Sequence, residues 1–562
     1  MLTLSLERQI FRLVIAVAAT VTLIVTPYSV TDPINLPKMV LLVTLAFGIA
    51  VILFFNLKRI LIPPRKLIFF ISGLITINLI IILFVHRIFL SEVFYGTSGR
   101  NTGVLTYLSL IFLMLGSLVI SSEFVITKIL KILFVVGLIS MIYGNIQFFG
   151  LEPFPFSSPY ESKVVGTFGN PNFQSAFMGI LIASITPLLL NRRLKTSQKF
   201  LTIAFLILGF LSIVQTNSIQ GLFSSSIGIG VVLLFHFISL RWKKRAILAG
   251  FFLVGGVVLV ALSFLNIGPL ANIIYKGSMA ARVYYWETAF KIIFDNPFFG
   301  VGLDQYGDWL RKYRSAGDVA TNLTADSAHS VYLDIGVGGG LPLLMFFLLI
   351  TFLGALSIFR VLKRNIQIPQ YYLALVGGWV AFQAQSIISI NQIGIAIWGW
   401  IFTGLLIGFE VNTRNLNLDL VGRGPKRSNK NTDIIEIHPA ILILSVSGLV
   451  LGLILALPPF ISAKTYFDSL KTGKVIEIKR ALNSKPYDRK NFIQASDIFI
   501  QNGYEEHSLE VARAGVERIP NSFWLWSRVE ELSPKDSALN ADAVEKLHLL
   551  DPNNPAYVPL GN

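Results

Sequence analysis

A histidine and an aspartate three residues apart are the first candidates for chemistry in this sequence. Asp326 precedes His329, and the two side chains would share one face if the segment were helical. A carboxylate beside an imidazole fixes the tautomer of the ring and raises its basicity, as a general base requires. The alternative is an aspartate that caps a helix and a histidine at the level of the lipid headgroups. Spacing alone leaves both interpretations open.

Arg282, with Trp286 one helical turn further on, is a candidate for binding phosphate. An arginine suits a diphosphate because its charge is permanent and its fork binds two oxygens at once. The same pair could instead be an arginine that reaches lipid phosphates beside an aromatic anchor. Arg100 lies among the glycines of Tyr95–Gly103, which permit close backbone approach. Asn170-Pro171-Asn172 predicts a polar turn that can cap the next helix.

Metal and thiol chemistry have little support in the sequence. The chain contains no cysteine, which excludes a thiolate zinc site and a cysteine nucleophile. Asp304, Asp308 and Asp326 are scattered along one connector and are weak evidence for a cation site. We therefore expect no metal and no cofactor.

The composition shows which elements must position these residues. Hydrophobic residues make up 54% of the 562 and charged residues only 14%, against about 25% charged in soluble domains. This excludes a soluble enzyme, a coiled coil and a disordered chain. The apolar runs predict an all-α membrane protein with about 12–13 transmembrane helices. The first run, Phe11–Pro27, is expected to be a retained helix and not a signal peptide.

Basic residues are concentrated in alternate connectors, which predicts the orientation. By the positive-inside rule these connectors face the cytoplasm. The N-terminus is then inside, and everything after about Leu457 is outside. Topology thus accounts for the net charge of +16, and no nucleic-acid partner is expected. The basic clusters stand at 58–66, 192–199, 241–245, 360–364 and 414–430.

One long connector, about residues 266–330, is predicted on the outer side. It contains an amphipathic stretch, Met279–Phe294, with Val283, Trp286, Phe290 and Ile293 on one face, followed by Asn296-Pro297. We interpret this stretch as a helix lying on the outer membrane face. The predicted polytopic membrane domain comprises residues 1–461, and this connector is its large outer loop.

Residues 462–562 are polar and form a second predicted domain outside the membrane. Pro486, Pro520 and Pro552 recur at intervals of 34 and 32 residues, which is close to the tetratricopeptide period. The alternative is an irregular helical bundle with coincidental prolines. Either arrangement offers a helical surface suited to a protein partner or a polymer.

Four segments, in order, resemble the O-antigen ligase/polymerase superfamily, whose members transfer glycans from a polyprenyl diphosphate carrier. The resemblance covers about residues 90–410. The segments are Gly166-Thr167-Phe168-Gly169-Asn170-Pro171-Asn172, Arg282-Val283-Tyr284-Tyr285-Trp286, Asn296-Pro297-Phe298-Phe299-Gly300-Val301-Gly302 and His329-Ser330-Val331-Tyr332-Leu333.

The resemblance implies a metal-independent, inverting membrane glycosyltransferase of C-type architecture in the bacterial cytoplasmic membrane. It implies that Arg282 binds the carrier diphosphate, such as undecaprenyl diphosphate, and that His329 activates or positions the acceptor hydroxyl. The implied partners are a polyprenyl-diphosphate-linked glycan donor, a glycan, lipid or protein acceptor, and membrane lipids. The expected substrate-binding residues are Arg100, Trp286, Asn170, Asn172, Asp326, Gln220 and Lys276.

The chain departs from the superfamily pattern at three positions. Gln220 stands where many members have the arginine of a Ser-Arg-Gly turn, so Arg100 or Lys276 could replace that arginine. Gly338 stands where members often have a glutamate, and Ser330 where they have an asparagine. Two other functions stay open, a polytopic solute transporter and a non-catalytic scaffold for assembly of cell-surface polysaccharide. A ligase and a polymerase both fit these motifs.

Overall fold

The structure, a computed structural model, describes residues 2–87, 90–152, 164–191, 194–274, 277–315, 317, 319, 324–364, 368–414 and 438–557. Within these ranges the chain is helical and contains no β-strand. Four predicted features lie outside the described residues: Lys276, Arg192, Arg193 and the basic residues between 415 and 437.

The membrane body is formed by helices separated mostly by short turns. Short 3₁₀ segments stand at Gly166–Phe168 and Thr186–Leu190. The α-helices are α1 (Leu2–Leu23), α2 (Asn35–Phe55), α3 (Leu57–Ile60), α4 (Pro63–Val85), α5 (Leu90–Tyr95), α6 (Val104–Val119), α7 (Glu123–Phe148), α8 (Pro171–Ile185), α9 (Thr196–Gln215), α10 (Gln220–Ser239), α11 (Lys243–Phe264), α12 (Ala271–Ile274), α13 (Gly277–Asp295), α14 (Tyr306–Tyr313), α15 (Val331–Lys363), α16 (Gln370–Ile388) and α17 (Ile393–Thr413).

The C-terminal part begins with a long helix that leaves the membrane body. A 3₁₀ segment, Pro555–Tyr557, ends the described chain. The α-helices are α18 (Pro439–Thr472), α19 (Val475–Ala481), α20 (Arg489–Gln501), α21 (Glu505–Arg518), α22 (Phe523–Leu532) and α23 (Ala538–Leu550).

Ten helices of the described chain are long and apolar enough to cross a membrane: α2, α4, α7, α8 with its 3₁₀ extension, α9, α10, α11, α15, α17 and α18. The chain is therefore an all-α, multi-pass membrane protein. The number is below the expected 12–13 because three helices of the same body are shorter or more polar. Of these, α6 has 16 residues, α1 carries Glu7, Arg8 and Arg12, and α16 carries several glutamines. All three pack among the apolar helices.

Lys38 is fully buried near the start of α2 and caps the C-terminal end of α1. Its Nζ donates to the carbonyl oxygens of Val21 (3.0 Å), Thr22 (2.9 Å) and Ile24 (2.9 Å). The last carbonyls of a helix have no partner within the helix, so the lysine satisfies groups that would otherwise be buried alone. Thr167 Oγ1 donates to the same Thr22 carbonyl at 2.8 Å. The turn before α8 is thereby fixed to this corner.

Helix α15 is broken at Gly340, which has φ 71° and ψ −173°. A break leaves backbone groups without helical partners. The turn that follows α13 supplies those partners in three backbone hydrogen bonds: Val301 N to Val337 O (2.8 Å), Gly302 N to Gly338 O (3.1 Å) and Leu341 N to Pro297 O (2.7 Å). The Asn-Pro-x-x-Gly-x-Gly segment therefore fastens the outer connector onto the first part of α15.

The C-terminal helices form a second hydrophobic core. The core of the membrane body extends to Ala463, and the second core begins at Tyr466. A single helix, α18, runs through the boundary expected at residue 462. Each of α20 to α23 packs mainly on its neighbour in sequence, and the three prolines follow the ends of α19, α21 and α23. Assignment to tetratricopeptide repeats stays a prediction.

Ion pairs hold the C-terminal helices against the long connector. Arg489 lies between Glu92 and Asp308, with closest contacts of 2.9 and 2.6 Å. Arg314 pairs with Asp551, its Nε donating to Oδ1 at 2.8 Å. The C-terminal domain and the connector at 266–330 therefore lie on the same side of the membrane body.

Candidate active site

The predicted amphipathic stretch is confirmed as a helix, α13. Its protein-facing side buries Tyr285, Ala289 and Ile292 in a small core beneath the connector. Phe290 is 50% exposed, as expected for a side chain covered by lipid. Ile293, predicted on the same apolar face, is buried in that core. Of the residues predicted on one apolar face, Ile293 therefore packs against protein, whereas Phe290 is exposed toward the membrane.

A cavity of about 1200 Å³ lies between α10 and α11. Its wall is mostly apolar and includes Phe223, Leu233 and Phe252. Helix α11 has 22 residues, a length of about 33 Å, which matches a bilayer core of about 30 Å. Arg245 lines the end of the cavity near the start of α11, and Arg282 lines it with Phe264 at the other end. The cavity thus extends along most of the membrane span.

Polar side chains surround Arg282 at its end of the cavity. Asn172, Ser218 and Gln220 line this end. Ser218 Oγ donates to Asn172 Oδ1 at 2.7 Å, and Gln220 Nε2 donates to Gln385 Oε1 at 3.3 Å. Three expected substrate-binding residues, Arg282, Asn172 and Gln220, are therefore brought together although they belong to three different helices.

Two other expected residues support this end without being central to it. Asn170 caps α8, its Oδ1 accepting from Asn172 N at 2.8 Å. Trp286 stacks on Phe264, with ring centroids 5.7 Å apart and planes 24° apart. Because Phe264 lines the cavity, Trp286 holds α13 against the C-terminal end of α11.

His329 stacks on Tyr285, with ring centroids 5.6 Å apart and planes 25° apart. Burial, together with the positive charges of Arg282 and Arg100, lowers the pKa of His329 to about 4, while Asp326 acts in the opposite direction. The imidazole is therefore neutral near pH 7, and the increased basicity expected from a neighbouring carboxylate is not found, because burial and the two arginines outweigh Asp326. Arg282 is close enough to act on the ring, so the two side chains share one neighbourhood. His329 is not among the described residues that line the cavity.

Asp334, which the sequence did not single out, holds the backbone turn that carries His329. Its Oδ2 accepts from Ser327 Oγ at 2.7 Å and its Oδ1 from Ala328 N at 2.9 Å. Ser327 Oγ in turn accepts from His329 N at 2.9 Å. His329 has φ 53°, a left-handed conformation that is uncommon for residues other than glycine, although histidine adopts it more often than most. The acidic residue in the first turn of α15 was the only sequence signal for this arrangement.

Asp326 does not share a helical face with His329, because residues 324–330 are not helical. Its carboxylate is exposed and its backbone carbonyl accepts from Arg100 Nη1 at 2.5 Å. Any effect of Asp326 on His329 is therefore electrostatic and not an i, i+3 contact within a helix.

Arg100 lies between two carboxylates. Its Nη2 is 3.6 Å from Asp334 Oδ2 and its Nε 4.0 Å from Asp304 Oδ1. Burial alone would lower the pKa of Arg100, but these carboxylates raise it overall. Asp304 also accepts from Thr102 Oγ1 at 2.6 Å and from Thr97 N at 3.2 Å. Arg100 thus links the glycine-rich turn after α5 to the turn that carries His329.

Gly338, where relatives were expected to have a glutamate, has no room for a side chain. A Cβ there would lie 2.8 Å from Leu303 Cδ2 and 3.0 Å from Leu303 Cα. The carbonyl of Gly338 also accepts the hydrogen bond from Gly302. The absence of a glutamate at this position therefore has a packing reason.

No cluster of three or more histidine, aspartate or glutamate side chains that could hold a metal occurs in the described part of the chain. The carboxylate of Asp304 is engaged by the two threonines and faces the guanidinium of Arg100. The charged groups around His329 are therefore arranged as ion pairs and hydrogen bonds.

Residues 203–348 match the family model of O-antigen ligases. The O-antigen ligase match runs from α9 into α15 and contains Arg282, the turn at 296–302 and His329. It supports the superfamily inferred from the motifs, and with ten apolar helices it indicates a multi-pass bacterial membrane protein. The family implies a lipid-linked glycan donor and a glycan acceptor. No curated protein matches the chain.

Proposed function

We propose that this protein transfers a glycan from a polyprenyl diphosphate carrier to an acceptor hydroxyl at the outer face of the cytoplasmic membrane. One observation carries the proposal. An apolar cavity that extends along most of the membrane span ends at Arg282, and a neutral His329 lies in the same neighbourhood.

The donor would occupy the cavity between α10 and α11. Its polyprenyl tail would lie along the apolar wall, where it exchanges contacts with lipid tails for van der Waals contacts with apolar side chains. Its diphosphate would meet Arg282, with Asn172 and Gln220 as neutral hydrogen-bonding partners. Arg100 would act as a positioning residue, because its charge already faces Asp304 and Asp334.

The acceptor hydroxyl would attack the anomeric carbon from the side opposite the diphosphate, which inverts that centre. His329 would take the hydroxyl proton while the new C–O bond forms. The bond between the anomeric carbon and the diphosphate oxygen breaks, and Arg282 would stabilise the charge that develops there. A fixed guanidinium can do this without a metal, so we expect transfer to continue in EDTA.

The orientation follows from charge. The basic connectors favour the cytoplasm, and this arrangement would put α13, the His329 turn and the C-terminal domain on the extracytoplasmic side. A lipid-linked glycan presented at the outer headgroup level would then meet Arg282 at the correct depth.

The test uses two pairs of matched variants in membranes that contain the native donor and acceptor. Arg282→Gln removes the charge at one end of the cavity, and Arg245→Gln removes it at the other. His329→Ala removes the base, and His507→Ala removes a histidine of the C-terminal domain. We expect the first member of each pair to lose about 10²–10⁴-fold in transfer rate at equal amounts of inserted protein, and the second to retain it. Wild-type rates for His329→Ala would refute the mechanism.

A further inference from the structure

A second cavity, of about 320 Å³, lies between the C-terminal domain and the outer surface of the membrane body. It is lined by α5 and the turn after it, by the connector around α14, and by the segment that leads into α20. We call it the interdomain cleft. Its volume falls at the lower end of the range of ligand sites, roughly 300–1,000 Å³.

The lining of the interdomain cleft combines carboxylates with aromatic rings. Its lining contains five carboxylate side chains and three cationic side chains, so negative charge is in excess. Tyr95, Tyr487 and Trp524 contribute rings, and Trp524 is 48% exposed. The exposed carboxylate of Asp326 can accept hydrogen bonds from hydroxyl groups, and aromatic rings pack against apolar faces. This combination suits a sugar, which has hydroxyl groups at its edge and C–H groups on its faces.

The interdomain cleft includes Asp326, a residue close to the candidate active site. Asp326 lines it, and the charge of the same residue acts on His329. The carbonyl of Asp326 is held by Arg100, which also faces Asp334. A molecule in the cleft would therefore extend toward the turn that carries the imidazole, from the side away from the lipid cavity.

We propose that the interdomain cleft binds the acceptor, and that the part of the acceptor it holds is an uncharged, polyhydroxylated glycan. This inference rests on the proposed function above. A phosphate or a uronic acid in the cleft would face the exposed carboxylate of Asp326 and an excess of negative charge. The C-terminal domain is then half of the acceptor site, and transfer depends on its docked position.

The experiment uses the absence of cysteine from the chain. Ser91→Cys introduces one thiol at an exposed position of α5 that lines the cleft. Asp536→Cys introduces one at an exposed turn between α22 and α23, and it serves as the matched control. Each full-length variant is reacted with a polyethylene-glycol maleimide and compared with the same variant unreacted. Transfer is measured in donor- and acceptor-containing membranes, and binding of farnesyl diphosphate is measured on purified protein.

We expect the bulky label on Ser91→Cys to lower transfer by about 10²-fold and to leave farnesyl diphosphate binding unchanged. The label on Asp536→Cys should change neither. Neutral glycan released from the cell envelope should slow the labelling of Ser91→Cys, whereas a tryptic digest of envelope proteins should not.

Full transfer by labelled Ser91→Cys overturns the proposal while leaving the proposed function intact. Loss of farnesyl diphosphate binding on labelling overturns it as well, because the cleft would then belong to the donor site. Protection by peptides and not by glycan contradicts the class of acceptor. Absence of transfer by the unaltered chain overturns the proposed function, and this inference with it.

Discussion

Replacing Arg489 by methionine tests what holds the C-terminal domain against the membrane body. The guanidinium donates to Glu92 at 3.2 and 2.9 Å and to Asp308 at 2.6 and 2.8 Å. The three side chains are 17%, 13% and 14% exposed, so the pairs are shielded from water. Methionine keeps much of the length and removes the charge.

The expected cost is that of breaking a buried ion pair. Removing one partner leaves the others as uncompensated buried charges, which costs about 3–5 kcal/mol. At about 1.4 kcal/mol per factor of ten, the equilibrium constant for docking of the two domains falls roughly 140- to 3,700-fold. Burial raises the pKa of Glu92 and Arg489 opposes that rise. Without the arginine, Glu92 therefore takes up a proton more readily, which reduces part of the cost.

Hydrogen–deuterium exchange of the detergent-solubilised protein measures this equilibrium through amides in α5 and at the start of α20. We expect their exchange in Arg489→Met to accelerate by up to the same factor. Adding Glu92→Gln and Asp308→Asn should restore slow exchange in part, because no charge then remains unpaired. The control is Arg528→Met, whose partners Asp497 and Glu531 lie within the C-terminal domain.

Two outcomes would refute this reasoning. Unchanged exchange in Arg489→Met would mean that apolar contacts alone dock the domain. Equal acceleration in the single and triple variants would mean that the cost comes from lost packing and not from unpaired charge.

The remaining predictions concern the His329 turn and the break in α15. Because the pKa of His329 is about 4, a neutral base is present from about pH 5 upward. The transfer rate should therefore be constant above pH 5 and decrease as the pH falls through 4. Arg282→Gln removes a charge that lowers this pKa, so the decrease in its transfer rate should begin at a higher pH. A decline of the wild-type rate already between pH 7 and 6 would contradict this. Gly338→Ala should lower the free energy of unfolding in detergent by about 1–3 kcal/mol through crowding against Leu303. Gly73→Ala, whose added Cβ would have no atom within 4 Å beyond the neighbouring backbone of its own helix, should raise that free energy by a few tenths up to about 1 kcal/mol. Equal effects of the two substitutions would exclude crowding as the cause.

The sequence was informative where a local pattern decides the structure. The 3.6-residue period of apolar residues predicted α13, and Asn170-Pro171-Asn172 predicted a capped helix start that is present at α8. Prolines predicted helix ends in the C-terminal domain. Each of these depends on neighbours within a few residues, which a single sequence contains.

The sequence was uninformative where distant segments meet. Glu92 and Arg489 are 397 positions apart, and nothing local to either residue indicates the other. Asp334 holds the His329 turn by accepting hydrogen bonds from non-helical backbone and side-chain groups. Such contacts produce no regular spacing of residue types that a sequence could reveal. Arg100 was expected as a possible second diphosphate ligand, but its position between Asp304 and Asp334 depends on how the connector folds back.

The lysine that closes α1 has a consequence for biogenesis. Lys38 is the fourth residue of the apolar helix α2. On the translocon scale a lysine costs roughly 2.5–3.5 kcal/mol at the centre of a helix, which is an upper limit for a lysine near a helix end. Its three donors reach their carbonyls only when α1 is already alongside α2. Insertion of the two segments together as a hairpin would therefore avoid leaving the ammonium group of Lys38 without these acceptors.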